Sequence, residues 1–139
     1  PLPVLHGKVD TIGYRFDRGG RALLAYIPDA KVVPDETREL LRDVEVLVLD
    51  ALRPKPHPTH LSLEESLAIA EEVGARRTWL THFSCEVDYR EIEPDLPDSV
   101  ALAWDGLKVR VGGSGDEISA AGDGQCSDEN GPPIIVSVP

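Results

Sequence analysis

VEVLVLDALRPKPHPTHLSLEESLAIAEEVG, residues 44 to 74, decides the fold class. Its first part, VEVLVLDAL (44 to 52), is almost wholly apolar and rich in β-branched residues, as expected of a strand buried on both faces. Ser62 followed by Glu65 is a capping-box pattern, in which the Ser oxygen accepts a free backbone N–H while the Glu reaches back. Leu63, Leu67, Ala70 and Val73 then recur at helical spacing until Gly74 stops the helix. A buried strand therefore runs into an amphipathic helix over 63 to 73. Two histidines three residues apart, His57 and His60, lie among prolines in the connection.

The flanking segments extend this pattern. RRTWLTHF (76 to 83) reads as another buried strand. VDTIGYRFD (9 to 17) and RALLAYI (21 to 27) are β-rich runs joined by Arg18-Gly19-Gly20, and the glycine pair supplies the positive φ of a tight hairpin. Pro34 opens a short surface helix, DETRELLRD, with Leu40 and Leu41 on its apolar side. SVALAW (99 to 104) and GLKVRV (106 to 111) predict a final hairpin with Asp105-Gly106 at its turn. Strands alternating with helices, plus hairpins, indicate an α/β domain: a mixed sheet with helices packed on it.

The chain has 139 residues, 41% of them apolar, which suits one core and one domain. That domain is expected over 1 to 111. From Gly112 the composition turns acidic and rich in Gly and Ser, without Lys or Arg, so 112 to 139 is expected to be a disordered tail. Its terminal IIVSVP is unassigned. A net charge of -11 argues against nucleic acid as a partner held by charge. Cys85 and Cys126 suggest no disulfide framework, which fits a reducing compartment and a cytoplasmic location. No apolar run approaches the roughly 20 residues that cross a bilayer, so no membrane partner is expected. The absence of Met indicates a processed protein or a piece of a longer one.

All four histidines, His6, His57, His60 and His82, sit at strand ends or in loops, where sites are usually built. Asp29 joins them in the loop after the second hairpin strand. The ordinary role of a lone His there is a hydrogen-bonded or solvated side chain. Together, His6, Asp29 and His82 form a donor set that a borderline metal such as zinc accepts, although their spacing makes no local motif.

PLPVLHGKVDTIGYRF, AYIPDAKVVPDETRELL, DALRPKPHPTHLSLEES, RRTWLTHFSCEVD and LPDSVALAWDGLKV occur in this order. The series resembles the second half of metallo-β-lactamase-fold hydrolases, in particular the branch that includes the phosphoribosyl cyclic phosphate phosphodiesterases. The likeness covers residues 1 to about 111, and DALRPKPHPTHLSLEES is its most specific part. It implies the C-terminal half of an αββα sandwich with two divalent ions, Zn or Mn. It further implies His6 and His82 as metal ligands, Asp29 as the acid bridging the ions, and His60 as a catalytic or phosphate-holding residue. His57 is read as a turn residue, Asp50 as structural support and Cys85 as an idle thiol. The family's His-x-His-x-Asp-His motif does not occur in the chain. The implied activity is hydrolysis of a cyclic or small phosphate ester, with a missing N-terminal half, or a second copy, as protein partner. Thioester, lactone or RNA hydrolysis on the same fold is one alternative, and a non-catalytic fragment or interaction module is the other.

Overall fold

A computed structural model describes residues 1–112 and the backbone of 134–137. Its strands are β1 (Leu2–His6), β2 (Val9–Arg18), β3 (Arg21–Ile27), β4 (Val46–Asp50), β5 (Arg77–Thr81), β6 (Val100–Leu102), β7 (Lys108–Val111) and β8 (Ile134–Ser137). Helices α1 (Asp35–Leu41), α2 (Leu63–Val73) and α3 (Tyr89–Ile92) fill the crossovers, α3 running into a 3₁₀ turn over Glu93–Asp95. One sheet has the order β1-β2-β3-β4-β5-β6. Pairing is antiparallel from β1 to β3 and parallel from β3 to β6. It follows that β1, β3, β4, β5 and β6 all point the same way.

β4 is buried along its whole length, and the strand period of two divides its side chains between two cores. Leu47 and Leu49 pack with Leu41, Ile69, Val73, Leu80 and Leu102 on the helical side. Val46 and Val48 pack with Leu23, Leu24 and Trp79 on the other. The expected capping box starts α2: Ser62 Oγ accepts from the Glu65 amide at 3.3 Å, and Glu65 Oε2 accepts from the Ser62 amide at 2.7 Å. Gly74 closes the helix at φ 67°, a left-handed conformation that costs glycine little. The turn at Gly19 and Gly20 has positive φ at both positions, as the hairpin required.

Three expectations are corrected. In α1 the apolar side is Leu41 with Thr37 one turn earlier, whereas Leu40 is 47% exposed. Thr37 is tolerated inside because its hydroxyl donates to the Pro3 carbonyl at 2.6 Å. Residues 99 to 111 do not form a hairpin, although a turn does sit at Asp105 and Gly106. β6 stays in the parallel ladder beside β5, and the chain then crosses to the opposite face of the sheet. There Leu107, Val109 and Val111 cover Leu23, Leu24, Val46, Val48 and Trp79, which would otherwise face water. Finally, β8 pairs antiparallel with β7, so residues 134–137 of the expected tail form a strand. The rest of that tail, from 113, lies outside the described residues.

Candidate active site

The common strand direction has a direct consequence for chemistry. His6 ends β1, Asp50 ends β4, Asp29 follows β3, and His82 follows β5, so all four emerge at one edge of the sheet. Loops beyond the carboxyl ends of parallel strands are the usual place for sites in such sheets. His60 arrives from the connection between β4 and α2.

Backbone bonds knit these loops together. Leu5 exchanges bonds with Lys31 and Val32, Leu61 donates to Ala30, and Leu52 donates to Leu61, all between 2.6 and 3.0 Å. Lys31 Nζ bonds both Glu65 carboxylate oxygens, at 2.6 and 2.8 Å, tying the Asp29 loop to the start of α2. His82 adopts φ 68°, a left-handed backbone that costs an ordinary residue roughly 1–2 kcal/mol. Strain of this kind collects at functional positions.

His6 Nε2 lies 3.2 Å from His60 Nε2 and 3.3 Å from Asp29 Oδ1. His60 Nδ1 lies 3.2 Å from Asp29 Oδ1 and 3.1 Å from Asp50 Oδ2. One ligand atom from each of His6, Asp29 and His60 thus falls within 4.8 Å of the others, a donor set of nitrogen and carboxylate oxygen suited to a divalent ion. His82 stands just outside that group, with its ring 4.9 Å from His60. The structure therefore gathers His6, Asp29 and His60 most tightly, with His82 next to them. Cys85 is exposed and is not in the cluster.

Asp50 is what the sequence left understated. Its side chain is 0% exposed; Oδ2 accepts from the Ala30 amide at 3.0 Å and faces His60, while Oδ1 has no hydrogen-bond partner among the described residues. Burial pushes its carboxyl up to about 7, against the opposing effect of the Ala30 bond. Burial also lowers the His60 pKa, while Asp29 opposes the shift. Burial thus favours the neutral ring of His60, with its one proton best placed on Nδ1, beside the Asp29 carboxylate and Asp50 Oδ2, which already accepts from Ala30, and a lone pair on Nε2. Ser66, buried on α2, supports Asp50 by donating to its carbonyl at 2.6 Å. An acid closing a fully apolar run was the available signal for Asp50; no pattern pointed to Ser66.

Residues 1–83 match the model of the beta-lactamase superfamily domain. The chain belongs to the beta-lactamase superfamily domain family. Among solved structures, a diphosphatase of the PhnP family is 44% identical with a TM-score of 0.71, over 77% of this chain and 40% of that one. The metallo-beta-lactamase fold protein YhfI from Bacillus subtilis has a TM-score of 0.61 at 19% identity, over 73% of this chain and 44% of that one. An octanoyltransferase of Porphyromonas gingivalis (strain ATCC BAA-308 / W83) is 27% identical over 120 residues, which is 85% of this chain and 23% of that protein. This beta-lactamase superfamily chain thus spans less than half of the proteins it matches. Its mixed sheet with helices on one face is that of the metallo-β-lactamase fold.

Proposed function

We propose that this chain carries the C-terminal part of the active site of a metal-dependent phosphodiesterase, which cleaves a cyclic or small phosphate ester at a dinuclear site. The convergence of His6, Asp29 and His60 within 4.8 Å carries the reading. The 44% identity to a PhnP-family diphosphatase supports phosphate as the group attacked. Zinc or manganese, when bound, supplies Lewis-acid polarisation and a nucleophile at neutral pH. His6, Asp29 and His60 would hold it, with His82 beside them, and Asp29 has the two oxygens that bridging requires.

The chain's own residues define what else can happen. Asp50 holds the His60 proton on Nδ1 and so fixes the ring, the arrangement that orients ligating imidazoles generally. A neutral His60 protonated there has no Nε2 proton to give. Ligation or proton acceptance is therefore its first role, ahead of general acid catalysis.

Calorimetric titration of zinc and manganese into the chain, beside turnover of bis-p-nitrophenyl phosphate, tests the reading. Asp29→Ala and His60→Ala should both lose metal, and any turnover should vanish with chelator. Metal uptake equal in the unaltered chain and in Asp29→Ala would refute the site. Uptake retained only in His60→Ala would return His60 to a substrate-facing role.

A further inference from the structure

His57 makes local turn bonds and also packs beside the cluster. It is only partly exposed, and its ring packs 5.1 Å from that of His60 at an interplanar angle of 41°. Its Nδ1 receives the Thr59 backbone amide at 3.4 Å and lies 3.2 Å from the Thr59 hydroxyl. A backbone N–H can only donate, so Nδ1 must be an acceptor and the proton of the neutral ring must sit on Nε2. Thr59 in turn approaches the His6 turn: a Cβ built on Gly7, the residue after His6, would lie 2.8 Å from Thr59 Cγ2. The His6 turn and the His57 loop thus lie close together beside the His6, Asp29 and His60 cluster.

The two neighbouring imidazoles are consequently in opposite tautomers. His60 keeps its proton on Nδ1, against Asp50, whereas His57 keeps its proton on Nε2. One offers a lone pair and the other a donor. A site for a phosphate ester needs both, because an anionic oxygen takes N–H donors rather than lone pairs. We propose that His57 is a substrate-binding residue whose Nε2–H donates to an oxygen of the phosphoryl group held at the His6, Asp29 and His60 cluster. The proposal rests on the phosphodiesterase reading for the ligand's identity, but its tautomer argument stands without it.

The test uses the full chain labelled with ¹⁵N at histidine and inorganic phosphate as the probe, with and without zinc. Long-range ¹H–¹⁵N spectra should place the His57 proton on Nε2 before any addition, and phosphate should shift that resonance. His57→Phe, which keeps a ring for packing but has no donor, should weaken phosphate about 10- to 100-fold, the scale of a hydrogen bond to a charged acceptor. His57→Gln, whose amide nitrogen falls near the Nε2 position, should recover part of the loss, and zinc affinity should be unchanged in both. A proton on Nδ1, no phosphate shift with or without zinc, or equal phosphate affinity in His57→Phe would overturn the proposal. A chain that takes up no zinc but still shows the His57 shift would refute the metal reading while upholding this one.

Discussion

Asp50→Asn in the metal-free chain isolates the cost of keeping a carboxyl inside. The residue is fully buried and its pKa is pushed up to about 7, whereas in the unfolded chain it sits near 3.8. Between those values the unfolded state has released the proton and the native state still binds it. Stability therefore falls as pH rises through this window and levels off above 7, because the native state is the one holding more protons. Going from pH 5 to pH 8 covers about two units of that difference, or roughly 3 kcal/mol at 1.36 kcal/mol per unit. Asn keeps the shape and an oxygen for the Ala30 amide but cannot titrate. Urea unfolding of both chains at pH 5, 6, 7 and 8, in the presence of EDTA, reads the difference directly. The Asn variant should gain on the unaltered chain by roughly 3 kcal/mol across the series, with the histidines common to both cancelling to first order. A difference that is flat with pH would refute the reasoning, since it would mean that Asp50 is ionised in the fold throughout.

Gly13→Ala should destabilise by about 1–3 kcal/mol in urea melts, because the new Cβ would lie 2.6 Å from Ile27 Cγ1 and 2.9 Å from the Tyr26 carbonyl. A change below about 0.5 kcal/mol would show that β2 can shift freely against β3. Ser62→Ala removes the side-chain half of the capping box and should cost about 1 kcal/mol by the same assay, with native metal affinity if the α2 entrance is merely loosened.

The strand and helix centred on residues 46 to 73 were legible because their signals are local: an unbroken apolar run, a cap, a 3.6-residue period and a terminal glycine. The boundary errors have a shared cause. Leu40 and Leu41 are adjacent, so periodicity alone could not say which faces the core, and the answer depended on Thr37 finding the Pro3 carbonyl on a distant strand. The supposed hairpin after Ser99 failed for a similar reason. Its Asp-Gly turn is real, but what the strands beyond it pair with is set by the bare face of β4 and β5, which no local pattern records. For the site, the resemblance singled out His6, Asp29 and His82 as ligands and His60 as a substrate-facing residue, whereas the structure gathers His6, Asp29 and His60 within 4.8 Å and sets the His82 ring 4.9 Å from that of His60. The opposite tautomers of His57 and His60 were not legible, because they follow from a backbone amide and from the acids facing His60 Nδ1 rather than from the histidines' own spacing.

The sheet's strand order, 1 through 6 without a skip, bears on how the chain reaches this state. Each strand pairs with the one just before it, so no partner has to be found across an intervening strand, and every added ladder closes a loop of modest length. Loop closure costs grow with the logarithm of length, and folding slows as pairing becomes less local. The chain can therefore assemble by successive docking of strand on strand, from the β1 and β2 hairpin to β6. In that sequence the cluster is completed midway. His6 is in place with the first hairpin and Asp29 with β3, but His60 is fixed only once α2 has docked. A trap for divalent ions would consequently close before β5 and β6 are added, and metal would act as a reporter of the half-built sheet.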